Sequence, residues 1–297
     1  MNKINYSHCP LCNSERIQKQ TKVKDFSISG EQFEIYSCQE CGFYFTQNHP
    51  DESDIGPYYQ SEDYISHSDT SKGLINTIYH WVRKIMLGKK YRLIKHETPH
   101  KKLLDVGCGT GYFLDYMKNK NYQIYGVEKE KDAREFAINN FNIPVTSPDN
   151  FLNQSQNEQY GIITLWHVLE HIQNFNAYLK SIHNNLNKSG ILIIALPNHK
   201  SYEAKYYKQY WAGYDVPRHL WHFSPNTLER LIKTHGFKIR KLKKLPFDSF
   251  YNALLSEKYR KNKFALLSGF FIGLLSYINS LFALKKASSI IYVCEKN

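Results

Sequence analysis

Residues 101–117 constrain the fold more than any other stretch of this chain. The apolar run Leu103-Leu-Asp-Val106 ends in Gly107-Cys-Gly-Thr-Gly111, and Phe113, Leu114 and Met117 follow at helical spacing. A strand, a glycine turn and a helix in that order open a doubly wound α/β sheet. The glycines let the backbone approach a ligand where a side chain would clash. Tyr122-Gln-Ile-Tyr-Gly-Val-Glu128 reads as a second strand ending in a carboxylate, 21 residues after Gly107. A carboxylate at that place accepts hydrogen bonds from ribose hydroxyls. The spacing of Gly107, Gly109 and Gly111 departs from the G-x-G-x-x-G of dinucleotide sites, and a dinucleotide-phosphate loop does not require the preceding Asp105.

A second feature stands at the other end. Cys9-Pro-Leu-Cys12 and Cys38-Gln-Glu-Cys41 are two C-x-x-C pairs with 25 residues between them. Two tight turns of this kind aim four thiolates at one ion, which is the closed tetrahedral site of structural zinc. Phe26-Ser-Ile and Phe33-Glu-Ile-Tyr read as short strands around a Gly30 turn, so residues 1–50 are expected to form a zinc ribbon. His8 and His49 lie near enough to substitute as ligands, although four cysteines suffice. Six cysteines behind a polar N-terminus without an apolar leader point to a reducing compartment, and a cytoplasmic location is expected.

The formal charge of +12 is unevenly spread. Residues 1–60 carry five basic and eight acidic groups, which makes the ribbon a poor reader of nucleic acid. Residues 71–104 carry nine basic groups against Glu97 alone, and residues 230–263 carry eleven against Asp248 and Glu257. These blocks are either solvated surface or a face for anionic lipid, a phosphorylated substrate or nucleic acid. Residues 51–70, with Pro57-Tyr58-Tyr59 and Tyr64, read as a connector. Leu74, Ile78, Trp81, Ile85 and Met86 then predict an amphipathic basic lid helix, completing a 51–100 linker region.

From residue 101 the chain resembles the class I S-adenosylmethionine-dependent methyltransferases, over roughly 101–245 and 288–294. Tyr160-Gly-Ile-Ile-Thr-Leu-Trp-His-Val-Leu-Glu-His171 is similar to the family's fourth strand and following loop, and Ile191-Leu-Ile-Ile-Ala-Leu-Pro-Asn198 to its fifth strand. Ser224-Pro-Asn-Thr opens a helix with Ser as N-cap and Pro in the first turn, and Gly236 ends it. Phe237 to Leu245 and Ser288 to Cys294 would be the sixth and seventh strands. The ribbon ahead of such a domain is also similar to sugar C-methyltransferases. The expected fold is therefore a seven-stranded Rossmann-like sheet over 101–297, preceded by the ribbon.

The resemblance implies an enzyme that binds S-adenosyl-L-methionine. Asp105, Gly107, Gly109 and Gly111 would hold its methionine portion, Glu128 the ribose, and Asp149, Asn150 and Phe151 the adenine. Leu165, Trp166 and His167 would line the sulfonium and the substrate entrance. The acceptor is expected to be a sugar-linked, quinone or lipid-linked small molecule. Two rival readings are an RNA or protein methyltransferase and a non-catalytic cofactor-binding scaffold protein.

His167-Val-Leu-Glu-His171 matches the zinc-protease pattern H-x-x-E-H, but that pattern needs a helix and this one starts as a strand ends. It also resembles the Glu-x-x-Glu-His metal set of ubiquinone-pathway O-methyltransferases, with His167 in place of the first Glu, and so no catalytic metal is expected. His167 is the first candidate for general base, because an unperturbed imidazole titrates near neutrality. His171 and His219 are the further catalytic candidates. Arg218, His219 and His222 in the run Asp215-Val-Pro-Arg-His-Leu-Trp-His222 either bind an anionic group or cap the next helix. Finally, Phe264 to Leu284 runs 21 residues without a charge. It is long enough to span a bilayer, yet the flanking strands must return to one sheet. Residues 246–287 are therefore expected to form a helical insertion beside the entrance, packed as a lid or dimer contact or resting on anionic membrane.

Overall fold

The structure, a computed structural model, describes residues 3–59, 74–153 and 160–297, with the side chains of 74–81 outside that description. Most of the 51–70 connector, Tyr64 included, and the side chains of Leu74, Ile78 and Trp81 thus lie outside the described residues.

The N-terminal part contains β1 (Lys3–Ile4), β2 (Ile17–Lys24), β3 (Gln32–Cys38), β4 (Tyr44–Gln47) and β5 (His49–Pro50). Phe26 to Ile28 are not a strand, contrary to the periodicity reading. The carboxylate of Asp25 accepts the backbone amides of Ser27, Ile28 and Ser29 and folds that stretch into the turn joining β2 to β3. A polar side chain that satisfies local amides competes with sheet pairing, so the ladder stops at Lys24.

The long helix α1 (Leu74–Glu97) leads into the main unit, in which strands and helices alternate: β6 (Lys102–Val106), α2 (Tyr112–Lys118), β7 (Gln123–Val127), α3 (Lys131–Phe141), β8 (Val145–Thr146), α4 (Pro148–Asn153), β9 (Tyr160–Trp166), α5 (Phe175–Asn185) and β10 (Leu186–Pro197). After α6 (Tyr202–Tyr207) come β11 (Trp221–His222), α7 (Pro225–Thr234), β12 (Phe237–Lys244), α8 (Asp248–Tyr259), α9 (Ala265–Phe282) and β13 (Ser289–Lys296). The seven-stranded sheet has the order β12-β13-β10-β9-β6-β7-β8. β13 runs antiparallel to both its neighbours, while β10, β9, β6, β7 and β8 pair in parallel. This is the expected seven-stranded Rossmann-like architecture, with α8 and α9 as the insertion between the last two strands.

The unbroken apolar runs of β9, β10 and β13 follow from helices covering both faces of the sheet. Alternate residues enter different cores. Leu192, Ile194, Leu196, Ile290 and Tyr292 join Leu179, Ile182, Leu228 and Leu231 of α5 and α7 on one face. Ile191, Ile193, Ile291 and Val293 join Leu93, Ile94, Leu114 and Met117 of α1 and α2 on the other. Ser224 caps α7 as its sequence predicts, in a capping box with Thr227 and with Pro225 in the first turn.

The ribbon packs on the α5–α7 face, where Phe43, Phe45 and Cys38 share a core with Trp221 and Phe223. β11, contributed from beyond β10, completes a four-stranded sheet in the order β11-β4-β3-β2, with Trp221 opposite Phe45.

Candidate functional site

The C-terminal ends of β6, β7 and β9 open into one cleft of about 1030 Å³, where ligands bind in open α/β sheets. Gly107 and Gly109 from the β6–α2 turn line one end, together with Glu128 after β7 and Asp149 and Leu152 of α4. Gly107 has φ +73°, and a Cβ there would lie 2.4 Å from Val168 Cγ2, so only glycine fits. Gly109 has φ +55° and nothing within 4 Å of where its Cβ would stand. The space above Gly109 is thus left for a ligand to meet bare backbone. The Glu128 carboxylate is oriented by three amides, from Gly109 at 2.7 Å, Lys129 at 2.8 Å and Glu130 at 3.0 Å.

Not every residue assigned to the cofactor faces this cleft. Asp105, Leu165 and Phe151 are buried, and with Gly111 and Asn150 they are not among its lining residues. Asp105 lies within the sheet, where Thr164 Oγ1 donates to its carboxylate at 2.5 Å. Burial pushes its pKa up to about 7, against that hydrogen bond and the charge of Lys90. Lys90 of α1 sits 4.4 Å from the Trp166 ring centroid, and burial lowers its ammonium to about 8. Leu165 and Phe151 are core, whereas Trp166, His167 and Leu152 reach the cleft.

His167 follows β9 with φ +58°, and residues 167–171 form a turn, so no zinc-protease helix exists there. Its Nδ1 lies 3.4 Å from Glu170 Oε1 and its Nε2 lies 3.4 Å from Asp248 Oδ2. Burial disfavours the charged ring, but Asp248 and then Glu170 outweigh it and push the pKa up to about 10. Two flanking carboxylates favour the imidazolium form of this ring, which makes His167 a better cation than base. Asp248, at the start of the insertion, had no local sequence signal for this role, because only the sheet topology brings it to the end of β9.

His171 and His219 line the far side of the cleft, their rings 4.5 Å apart at 77°. His171 Nδ1 lies 3.0 Å from the Arg218 carbonyl, to which it donates, and 3.1 Å from Tyr59 Oη. Burial, then the neighbouring His219, bring its pKa down to about 4, so the ring is neutral. His219 donates from Nδ1 to the Gly213 carbonyl at 2.9 Å. Donation from Nδ1 leaves Nε2 of each ring as the acceptor atom. Glu170 is fully buried, with His167 Nδ1 3.4 Å from its Oε1. Glu170, His171 and His219 offer ligand atoms within 4.8 Å of one another, a set able to hold a divalent ion.

Arg218 does not offer itself to an anionic ligand. Its Nε and Nη2 donate to Asp215 at 3.0 and 2.6 Å, Nη2 also reaches Asp25 at 3.2 Å, and Nη1 donates to the Tyr58 carbonyl at 2.8 Å. Its charge is spent joining the ribbon turn to the β10–β11 connection. His222 is buried in β11 with Nε2 3.0 Å from Thr46 Oγ1. That junction carries the ribbon into the cleft, where Phe26, Ser27 and Ile28 form wall opposite the glycine loop. The Phe26 ring stacks on Tyr259 of α8 at 4.5 Å. Neither contact was legible in local patterns, since each partner comes from a separate part of the chain.

The ribbon cysteines converge as their spacing predicts. Cys9 Sγ lies 3.6 Å from Cys41 Sγ and Cys12 Sγ lies 3.5 Å from Cys38 Sγ, with all four within 4.8 Å of one another. A tetrahedral zinc with Zn–S near 2.3 Å sets its sulfurs roughly 3.8 Å apart, so the donor set fits that ion.

Comparison with known proteins agrees with the fold. A family model described as a methyltransferase domain matches residues 79–242. The chain is 35% identical over 109 residues to a ubiquinone biosynthesis O-methyltransferase of Glaesserella parasuis, covering 33% of this chain and 46% of that relative. It is 23% identical over 234 residues to the protein of the same name in Rickettsia typhi, covering 73% and 94%. Among solved structures, magnesium protoporphyrin IX methyltransferase from Synechocystis, with bound SAH, superposes with a TM-score of 0.54 at 11% identity, over 83% of this chain and all of that one.

Proposed function

Since the chain belongs to the methyltransferase-domain family and is an S-adenosylmethionine-dependent methyltransferase, we propose that it methylates a small-molecule acceptor bound between the glycine loop and the His171–His219 wall. One observation carries this reading. The cleft is continuous from Gly109 and Glu128, past Trp166 and His167, to His171, His219 and the ribbon turn.

In this reading Glu128 takes the ribose hydroxyls and the Gly107–Gly109 backbone takes the methionine end. Trp166 would stand beside the methyl-bearing sulfur, with the acceptor on the His171–His219 side of the cleft. With the donor bound, the methyl would pass from sulfur to the nucleophile and the nucleophile's proton to Nε2 of His219, which would leave S-adenosylhomocysteine and the methylated product. The His167 imidazolium takes no proton and holds the β9 loop against α8. Cleft walls drawn from many separate segments suit a small acceptor better than RNA or a protein surface, and the acidic ribbon is no polyanion reader. We propose that the four cysteines hold a structural zinc, with no open position for substrate.

The convergence of Glu170, His171 and His219 ligand atoms within 4.8 Å favours a second reading of the base. Glu170, His171 and His219 would hold a divalent ion, which when bound lowers the pKa of a coordinated hydroxyl. Chelation separates the two, because loss of transfer with unchanged S-adenosylhomocysteine affinity selects the metal reading. Incubation of the full chain with methyl-labelled cofactor and a metabolite extract tests the function itself. Label should enter a small molecule, and transfer confined to protein or RNA would overturn the reading.

A further inference from the structure

α9 is apolar in an inverted sense. Its buried positions are the small residues Gly269, Gly273, Ser276 and Ser280, while large side chains point outward. The small stripe is needed for close approach to α8. A Cβ at Gly269 would lie 2.8 Å from Leu254 Cα, and one at Gly273 2.8 Å from Phe250 Cα. Leu266, Leu267, Phe270, Phe271, Leu281 and Phe282 are left 54–87% exposed. A contiguous apolar face of this kind marks an interaction site.

Topology decides how it can meet a bilayer. Leu245 N donates to Ser289 O at 3.2 Å, so the insertion leaves and rejoins the sheet at one point. A single helix of about 27 Å crossing a bilayer would part those ends. Charge decides what it meets. From 258 to 286 the chain carries Lys258, Arg260, Lys261, Lys263, Lys285 and Lys286, all exposed, and no acidic residue. Cations flanking an apolar face complement anionic phospholipid headgroups. The patch also adjoins the cleft. α8, whose Phe250 and Leu254 carry α9, presents Tyr251, Asn252, Leu255 and Tyr259 to the cleft.

We propose that α9 lies in the plane of an anionic phospholipid surface and that the acceptor is a lipid-soluble molecule entering the cleft past α8. The proposal rests on the acceptor-side reading above, and its test separates the two. The full chain is sedimented with vesicles of phosphatidylglycerol and phosphatidylcholine, and with phosphatidylcholine alone. Binding should require the anionic lipid and fall with salt. The variant Leu266→Gln/Leu281→Gln/Phe282→Gln, altered only at exposed positions, should bind at least about tenfold more weakly with unchanged S-adenosylhomocysteine affinity by calorimetry. Labelled methyl should enter a total lipid extract rather than the aqueous pool. Three results overturn the proposal: no vesicle binding, with or without a dimer seen by light scattering that the variant dissolves; vesicle binding that the variant retains; or label confined to the aqueous pool. Loss of S-adenosylhomocysteine binding by the wild type would instead strike the cofactor reading and leave the vesicle result to be judged alone.

Discussion

Replacing Arg218 by Met should destabilise the protein far more than an ordinary surface change. The guanidinium side chain is 7% exposed and faces Asp25 at 0% and Asp215 at 28% exposure. Methionine keeps most of the volume but leaves two carboxylates without their cation, and the Tyr58 carbonyl without its donor. Removing one partner of a buried ion cluster costs about 3–5 kcal/mol, because the remaining charge stays buried and uncompensated. With an m-value of about 3 kcal/mol/M, the urea midpoint should fall by about 1–1.7 M at pH 7. The pH dependence has a defined sign. Burial opposes ionisation of Asp215, but Arg218 outweighs it and holds the carboxyl below its ordinary 3.8. A depressed carboxylate stabilises above its unfolded value and loses that contribution as pH falls through the folded one. The gap between wild type and variant should therefore persist from pH 7 to about 4 and narrow below. A loss under about 1 kcal/mol at pH 7 would refute the account of Arg218 as the latch between ribbon and catalytic unit.

Asp248→Asn should release the His167 proton. That group is raised from 6.5 to about 10, so its stabilisation is complete below pH 6.5, declines above it, and is gone by about pH 10. With the ring 36% exposed, solvent screening limits the loss at pH 7 to about 1–2 kcal/mol, and an NMR titration showing wild-type His167 neutral at pH 8 contradicts the clamp. One zinc should copurify per chain, and Cys12→Ser with Cys41→Ser should release it. Cofactor binding should survive while acceptor turnover falls, since Phe26–Ile28 line the acceptor side. A metal-free, fully folded wild-type ribbon would refute this. Gly109→Val should lose S-adenosylhomocysteine binding in calorimetry, because its side chain enters the open space above the loop. Its φ of +55° costs about 1–2 kcal/mol of backbone strain, so folding is checked by thermal melt, and unchanged affinity would remove Gly109 from the cofactor site.

The elements with strong local signals were legible in the sequence. The Gly107–Gly111 turn, Glu128, the cysteine pairs and the Ser224 cap each announce themselves through residues a few positions apart. The pairing of β12 with β13 was legible too, and it foretold that α8 and α9 would leave and rejoin the sheet at one edge. Long-range chemistry was not. Nothing near His167 shows that Asp248, 81 residues later in the chain, will stand 3.4 Å from its second nitrogen and favour its charged form. Likewise Asp25 reads as a turn residue, and only the fold supplies Arg218. The small-residue stripe of α9 looked like diluted hydrophobicity until α8 was seen packed against it.

Calorimetric titration of S-adenosylhomocysteine into the full chain and into Glu128→Ala tests the central claim most directly. The wild type should bind one equivalent. Hydrogen bonds to a charged group are worth about 1.5–3 kcal/mol, so the variant should bind roughly 10- to 150-fold more weakly. No binding by the wild type, or equal affinity in the two proteins, would contradict the assignment of this cleft to the methyl donor.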